Sequence, residues 1–144
     1  MWLSLSHILY AQVIIGCSNG VASFTQYQPI IYPMLARRGG FEGTFVDIYE
    51  LVIKPSGAFE HKLKDPSLLK TKFDIFKNSI ESALSGWRFA NTTGKDLNLK
   101  MSVRFEFSGI VDVIDEKVLN QIGFDQDRIT ITVIASHIIL PLIY

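Results

Sequence analysis

The stretch Leu97–Phe107, LNLKMSVRFEF, decides the fold, because its apolar and polar residues alternate from one end to the other. Successive side chains of a β-strand point to opposite faces of the sheet, so this alternation predicts one long strand. We expect one face of that strand to pack in the core and the other to contact water. The positions expected in the core are Leu97, Leu99, Met101, Val103, Phe105 and Phe107.

Two segments before this strand predict a β-hairpin. Residues 44–53 are rich in β-branched and aromatic side chains, with apolar residues at odd and even positions. We therefore expect a strand that is central or covered on both faces. Residues 54–57 predict the turn, because Pro55 presets φ and Gly57 accepts a positive φ. Residues 58–63 then return as the partner strand.

The segment between the hairpin and the long strand predicts an amphipathic helix. Asp65 and Pro66 are suited to cap and begin this helix, and Gly86 is suited to end it. Apolar residues recur at spacings of three and four, which places them on one face of the helix. That face consists of Phe73, Phe76, Ile80, Ala83, Leu84 and Trp87.

The triplet Trp87, Arg88 and Phe89 lies at the junction between this helix and the last strand. We expect Trp87 and Phe89 to close the core between helix and sheet. Arg88 should point outward or reach the last carbonyl groups of the helix. A binding role for Trp87 is the alternative interpretation.

Further elements are predicted on either side of this unit. Residues 33–38 favour a short helix that two glycines end, and residues 115–122 favour another short helix. Arg128–Ala135, RITITVIA, alternates again and predicts a strand. The apolar residues 137–144 predict a buried final strand, or a sticky surface if they are exposed. The residues expected to point inward from the second short helix are Val118, Leu119 and Ile122.

The N-terminal region carries no charged side chain before Arg37, and it resembles an export signal. Residues 8–16 form a short apolar run, as in the core of a signal peptide. Gly16 and Cys17 follow aliphatic residues as in a bacterial lipobox, which implies cleavage before Cys17 and lipid attachment to its thiol. An ordinary buried thiol is the alternative. Residues 19–28 are small and polar, and they predict a linker.

Composition and motif spacing argue against catalysis and against nucleic-acid binding. The 14 basic and 14 acidic residues cancel, so no basic surface is expected. His7, His61 and His137 are far apart, and their spacing is not typical of a zinc site. Ser56 lacks the sequence context of an activated nucleophile. We therefore predict a protein that is not an enzyme and that has no cofactor and no metal.

One acidic cluster, Asp112, Asp115 and Glu116, lies at the predicted start of the second short helix. Carboxylates are favoured there by the helix dipole. A calcium site is the alternative for these three residues.

The order of these features resembles a known family. Tyr32 and Pro33 begin the stretch YPMLARRGGFEGTF, which leads into the β-rich segment. A hairpin closed by PSG, an amphipathic helix ending in WRF, a Gly-Lys turn and the amphipathic strand follow. Over residues 32–107 this resembles the C-terminal domain of TonB-type energy transducers. The first strand is two residues longer than in that family, with Asp47 and Glu50 inside it.

The resemblance implies an α+β fold, in which a small antiparallel β-sheet carries a long amphipathic helix on one face. We expect an extra C-terminal helix and strand beyond it. The predicted organisation is a signal or anchor with a linker at residues 1–26, a TonB-like domain at 27–108, and an extension packed on that domain at 109–144.

The resemblance also implies a function, which is protein binding by β-strand addition in the periplasm-facing cell envelope. An extended segment of an outer-membrane transporter, or another envelope component, would pair with the exposed edge of the last strand. Backbone groups supply most of such pairing, and side chains set the preference. The residues predicted to bind this partner are Leu99, Lys100, Met101, Ser102, Val103, Arg104, Phe105 and Glu106.

An assembly scaffold of an envelope complex is the alternative function. In that case Arg128–Ala135 would pair with residues 99–107 and cover their edge, as natural proteins often do with exposed edges. The chain would otherwise form a homodimer through that edge. Whether the edge is free or covered discriminates between the two functions.

Overall fold

The computed structural model describes residues 11–15, 20–65, 67, 71–108 and 118–135. This part of the chain has a mixed α+β structure made mostly of strands, with two helices and two sheets. In chain order its elements are β1 (Ala11–Ile15), β2 (Ala22–Gln26), α1 (Met34–Gly39), β3 (Gly43–Ile53), β4 (Phe59–Leu63), α2 (Phe73–Leu84), β5 (Arg88–Asn91), β6 (Leu97–Phe107), β7 (Val118–Phe124) and β8 (Arg128–Ala135).

Six of these strands form one sheet, in the order β1-β7-β8-β6-β3-β4. β3 is antiparallel to both β4 and β6, whereas β8 runs parallel to β6 and β1 runs parallel to β7. β2 and β5 form a separate antiparallel pair. This pair and α2 cover the same face of the large sheet, because Phe24 packs against Phe124 of β7 and Phe76 stacks on Phe105 of β6.

The long strand β6 has the bounds that the sequence predicted. Leu99, Met101, Val103 and Phe105 are at most 2% exposed and form the centre of the core. The charged side chains Lys100 and Arg104 point to the opposite, solvated face. The apolar residues of the alternating sequence therefore lie on the core face of the sheet, and the polar residues lie on the solvated face.

β3 is central, as predicted, because it lies between β4 and β6. Its outer face is not covered, since Val46 is 68% exposed. Two of the apolar residues that predicted cover on both faces, Val46 and Ile48, lie in a bulge. Phe45 pairs with Val103 and Tyr49 pairs with Met101, so three residues of β3 lie opposite one residue of β6. This bulge takes up the two additional residues, and Phe45 and Tyr49 on either side of it both contact Phe73 of α2.

The hairpin turn between β3 and β4 also follows the prediction. Gly57 has a φ of +91°, and its N–H donates to the carbonyl oxygen of Lys54 at 2.9 Å. The short helix α1 ends at Gly40, which adopts the left-handed conformation with a φ of +70°. Both glycines therefore have the positive φ that glycine adopts without steric cost.

The helix α2 has the predicted inner face but begins later than predicted. Its five predicted core residues are buried, and Trp87 is buried just after the helix ends. The carboxylate of Asp65 accepts hydrogen bonds from the N–H and the hydroxyl of Ser67, at 3.0 and 2.7 Å, and so closes a local turn. The helix begins at Phe73, whose N–H donates to Oγ1 of Thr71 at 3.3 Å.

The junction after α2 fits the structural role that the sequence predicted for Trp87. Trp87 and Phe89 are 0% and 4% exposed. The Trp87 Nε1–H donates to the carbonyl oxygen of Gln28 at 2.8 Å, and its ring stacks on Tyr27 with 5.3 Å between centroids. Arg88 points outward, and its guanidinium donates to the carbonyl oxygen of Trp87 at 2.6 Å.

The prediction of a short helix at residues 115–122 is wrong for its described part, because residues 118–122 belong to strand β7. β7 pairs with β8 along its whole length and with β1 on its other side. Val118 and Ile122 are buried as predicted, but Asn120 is also fully buried, and Leu119 is only half-buried. Every second residue is therefore buried, as in a strand, rather than residues three or four apart, as in a helix.

The buried amide of Asn120 explains how a polar residue is accommodated in β7. Its Oδ1 accepts hydrogen bonds from the Tyr27 hydroxyl at 2.7 Å and from the Ile30 N–H at 2.8 Å. Its Nδ2–H donates to the carbonyl oxygen of Ile30 at 3.0 Å. The amide is satisfied at both ends, so its burial is tolerated, and it fixes the segment after β2 to the large sheet.

Two segments on the N-terminal side of the predicted boundary at residue 27 are strands. β2 lies within the predicted linker, and its residues Ala22 and Phe24 are buried. β1 lies within the predicted export signal, residues 8–16, and pairs with β7. The linker interpretation is therefore wrong for residues 22–26. The cleavage of residues 1–26 stays a prediction.

Several predicted features lie outside the described residues. They include the lipobox with Cys17, the apolar residues 137–144, and two of the three histidines, His7 and His137. The acidic cluster Asp112, Asp115 and Glu116 also lies there.

Candidate functional site: the two edges of the antiparallel sheet

Strand β6 has a hydrogen-bonding partner on each side. In the antiparallel register with β3, the amides of Leu99 and Met101 point toward β3. The amide of Lys100 donates to the carbonyl oxygen of Asp127 at 2.8 Å, and that of Ser108 donates to Ala135 at 2.9 Å. By the same alternation, the amides between these two positions that point to β8 are those of Ser102, Arg104 and Glu106.

The residues predicted to bind a partner by strand addition therefore lie in the middle of the sheet. Leu99, Met101, Val103 and Phe105 are core residues beneath the helix layer. The remaining four point to the solvated face, where Arg104 and Glu106 approach each other at 3.7 Å. Strand addition at this edge is incompatible with the arrangement, because β8 already occupies it. The alternative, that Arg128–Ala135 covers the edge, is what the structure shows.

The bulge of β3 connects to the start of β8 through Asp47. Asp47 has a φ of +50°, and its N–H donates to Oγ of Ser102 at 2.8 Å. Its carboxylate accepts two hydrogen bonds from the Arg128 guanidinium, from Nε at 2.8 Å and from Nη2 at 3.0 Å. The inserted residues of β3 thus reach across β6 and connect β3 to the strand that closes the edge of β6.

The charges of this pair influence each other. The hydrogen bonds from Arg128 hold the pKa of the Asp47 carboxyl below its usual range. The Asp47 carboxylate in turn raises the pKa of Arg128. The side chain of Asp47 is 17% exposed and that of Arg128 is 37% exposed, so solvent screens part of the attraction.

Strand β4 is different, because it pairs with β3 alone among the described residues. The amide of Lys54 donates to Ala58 at 2.8 Å, and that of Lys64 donates to Ile48 at 3.0 Å. These bonds fix the alternation along the hairpin, so the backbone groups of Glu60 and Lys62 point toward β3. The residues whose N–H and C=O groups point away from the sheet are Phe59, His61 and Leu63.

A groove of about 390 Å³ lies beside this free edge, between β4 and the end of α2. Apolar and polar side chains both line this groove. The lining residues are Ala58, Phe59, His61, Glu81, Leu84, Ser85 and Arg88.

Glu81 is the acidic side chain among those that line this groove. It accepts a hydrogen bond from the Tyr49 hydroxyl at 2.6 Å and forms an ion pair with Lys77 at 3.2 Å. Burial works to raise the pKa of Glu81, but the hydrogen bonds from Tyr49 and Lys77 outweigh it and lower that pKa. These contacts hold Glu81 in its charged form as a fixed part of the wall.

Sequence reasoning missed the β4 edge because the family resemblance directed attention to the last strand. A signal was present in the sequence FEHKL, where a short strand follows a tight turn and carries both charge signs. The closure of β6 by β8 required the parallel pairing of two strands that are distant in sequence. That pairing belongs to the alternative scaffold function, and no local sequence pattern predicts it.

Neither a family of proteins, nor a curated protein, nor a solved structure matches this chain. The likeness to TonB-type domains therefore rests on the order of the motifs. In the described part of the chain, no three His, Cys, Asp or Glu side chains are placed to hold a metal ion. Among the same residues no helix has both the length and the apolar character needed to cross a membrane.

Proposed function

We propose that this protein is a non-catalytic protein-binding module of the bacterial cell envelope, which works by strand addition at β4. The observation that carries this proposal is the contrast between the two outer strands of the antiparallel unit. β6 is closed by the protein's own β8, whereas β4 presents outward backbone groups beside a groove. Exposed edges of this kind pair readily with another extended chain.

The arrangement of β4, β3, β6 and α2 supports a relationship to TonB-type domains. It has the three antiparallel strands and the single covering helix that the resemblance implies. β8 is additional, and it occupies the edge that such domains would offer. We therefore place the partner-binding site at the opposite side of the unit.

An extended partner segment at β4 would form hydrogen bonds with the backbone of Phe59, His61 and Leu63. Side chains of the segment opposite these positions would point into the groove, since directly paired residues share one face of a sheet. Phe59 and Leu84 offer apolar contacts there, while Arg88 and Glu81 offer charge of both signs.

The envelope location draws its support from the apolar run at residues 8–16 and the Gly16-Cys17 pair. β1 lies inside this run, so cleavage before Cys17 would remove β1 and leave β7 as an outer strand. The mass of the mature protein purified from bacterial membranes tests this point. A diacylated or triacylated N-terminus at Cys17 supports the location, and an intact N-terminus in the soluble fraction contradicts it.

Titration of the full-length ¹⁵N-labelled protein with extended transporter-derived peptides tests the binding mode. We expect the amides of Phe59, His61 and Leu63 to gain protection from hydrogen exchange, while those of β6 stay unchanged. A peptide of the same length in which proline replaces alternate residues is the control, because it cannot donate the paired hydrogen bonds. Protection centred on β6 contradicts the proposal. So does the failure of every extended strand, including one from a second copy, to protect β4.

A second candidate function, an assembly scaffold, is favoured by the closure of β6. The described sheet ends at β1 on one side and at β4 on the other, so a partner extends it at one of these outer strands and not at β6. That geometry suits a component that joins a defined complex.

A further inference from the structure

We infer that the occupant of the β4 edge is a second copy of this chain, which pairs with Phe59–Leu63 in an antiparallel, two-fold symmetric manner centred on His61. The inference rests on the proposed use of the β4 edge and adds the identity of the partner. It follows from three properties of this strand, which are its outward backbone groups, its charge order and its apolar ends.

The backbone pattern of β4 is self-complementary about His61. In this register Phe59 pairs with Leu63 of the partner subunit, and His61 pairs with His61 of the partner subunit. All three residues have N–H and C=O groups that point outward, so each pair exchanges two hydrogen bonds. Every outward backbone group of the strand then finds a partner across the two-fold axis.

The charges select this register over its neighbours. Glu60 lies opposite Lys62 of the partner subunit, and the symmetric contact places Lys62 opposite Glu60 of the partner subunit. These are non-hydrogen-bonded pairs, in which side chains approach most closely. A symmetric register centred on Glu60 or on Lys62 would instead place two identical charges directly opposite each other, which is destabilising.

The same pairing continues a row of alternating charge on the solvated face. Lys100 of β6 pairs with Glu50 of β3, and Glu50 pairs with Lys62 of β4. The next position in the row, across the interface, is Glu60 of the partner subunit. The row therefore alternates in sign over four neighbouring strands, and β4 is where it stops in the single chain.

The opposite face of β4 supplies apolar contact. Phe59 and Leu63 are half-buried against the core and lie at the two ends of the strand. In the dimer Phe59 faces Leu63 of the partner subunit, and Leu63 faces Phe59 of the partner subunit. Two Phe-Leu pairs therefore flank the central histidines. The burial of these side chains removes apolar surface from water, which favours association.

Sedimentation of the full-length protein from micromolar to millimolar concentration tests the inference. We expect the native protein to dimerise, and E60K and K62E each to weaken the dimer by about tenfold or more, because each places two like-charge pairs across the axis. An equimolar mixture of E60K and K62E should dimerise again, since a chain of each kind restores both opposite-charge pairs. The double variant E60K/K62E should also dimerise.

A matched control is K95E, which makes the same charge change in the exposed turn before β6. It should dimerise like the native protein. A native protein that stays monomeric at millimolar concentration overturns the inference, and so do single variants that dimerise with native affinity. If the monomer nevertheless protects its β4 amides with a transporter-derived peptide, the dimer is refuted and the proposed function stands. If neither partner protects β4, both are refuted.

Discussion

The strands β6 and β4 flank the same central strand, yet only one of them is available to a partner. β6 is joined to β8 from Lys100 to Phe107, and the ion pair between Asp47 and Arg128 connects β3 to β8 beside it. β4 is shorter and ends at Leu63, and no strand of the described residues pairs with it on its outer side. Whether a strand edge can pair with a partner therefore depends on chain segments that are distant from that edge in sequence.

The replacement of Trp87 by alanine should have the largest effect and should affect both edges together. Trp87 is fully buried and contacts aromatic rings from β2, β4 and β5. Loss of a buried large aromatic side chain costs roughly 3–5 kcal/mol of unfolding free energy. Urea denaturation measures this change, with the 70% exposed Leu35→Ala as the control. A loss below about 1 kcal/mol would remove Trp87 from the core.

Gly57→Ala should have the next largest effect and should act on the β4 side. Gly57 has a φ of +91°, and a Cβ there would collide with the carbonyl oxygen of Phe89. The left-handed conformation costs a non-glycine residue about 1–2 kcal/mol. The clash adds about 1–3 kcal/mol. We expect hydrogen exchange to accelerate in β4 more than in β6.

Gly94→Ala separates these two costs. Gly94 has a φ of +75°, but a Cβ there meets no atom within 4 Å. Its urea midpoint should therefore shift by the conformational cost alone. Equal losses for the two alanine variants would show that the close approach of Gly57 to Phe89 does not exist in solution.

Asp47→Asn should have a smaller effect than either glycine variant and should act on the β6 side. Asparagine tolerates the positive φ of residue 47, so the substitution removes charge while it keeps the backbone. The pKa of Asp47 is lowered in the folded protein. Its ion pair therefore contributes stability above the ordinary aspartate pKa of about 3.9, and loses it as the pH falls through the lowered value.

Urea denaturation of the native protein and of Asp47→Asn over a range of pH checks this sign. The difference in unfolding free energy should be largest near pH 7 and should vanish in strong acid. A difference that is constant with pH, or that grows toward acid, would show that the Asp47–Arg128 pair does not lower the pKa.

Glu60→Lys should have the smallest effect on the single chain. Glu60 is exposed, and such surface substitutions change stability by about 0.5 kcal/mol or less. Urea denaturation at a concentration well below that of dimer formation measures this change. A large loss would mean that Glu60 stabilises the hairpin itself, and the weaker dimerisation of this variant would then have a trivial cause.

The sequence predicted the elements whose burial follows from local periodicity. Strands β6 and β8 have the predicted bounds, and the inner face of α2 carries the predicted side chains. β7 was missed because Asn120 occupies a buried position, where only its bonds to Tyr27 and Ile30 permit a polar residue. The helical spacing of Val118, Leu119 and Ile122 instead leaves Asn120 on the outer face of a helix.

β2 and the site were missed for related reasons. β2 has few apolar residues, and most of the rings that Phe24 contacts in the core, those of Trp87, Phe89 and Phe124, come from distant parts of the chain. The position of the open edge depends on which strand β8 joins. Local sequence patterns carry no information on that pairing, because β6 and β8 are not consecutive in the chain and β7 lies between them.

The most direct test of the account compares two sets of amides by hydrogen exchange in the monomeric protein. We predict slow exchange at Lys100, Ser102, Arg104 and Glu106, whose amides point to β8, and fast exchange at Phe59, His61 and Leu63, whose amides point to solvent. Raising the protein concentration should then slow exchange in the second set alone. Fast exchange at the four β6 amides, or slow exchange at the three β4 amides in the monomer, would contradict the claim that β6 is the closed edge and β4 the open one.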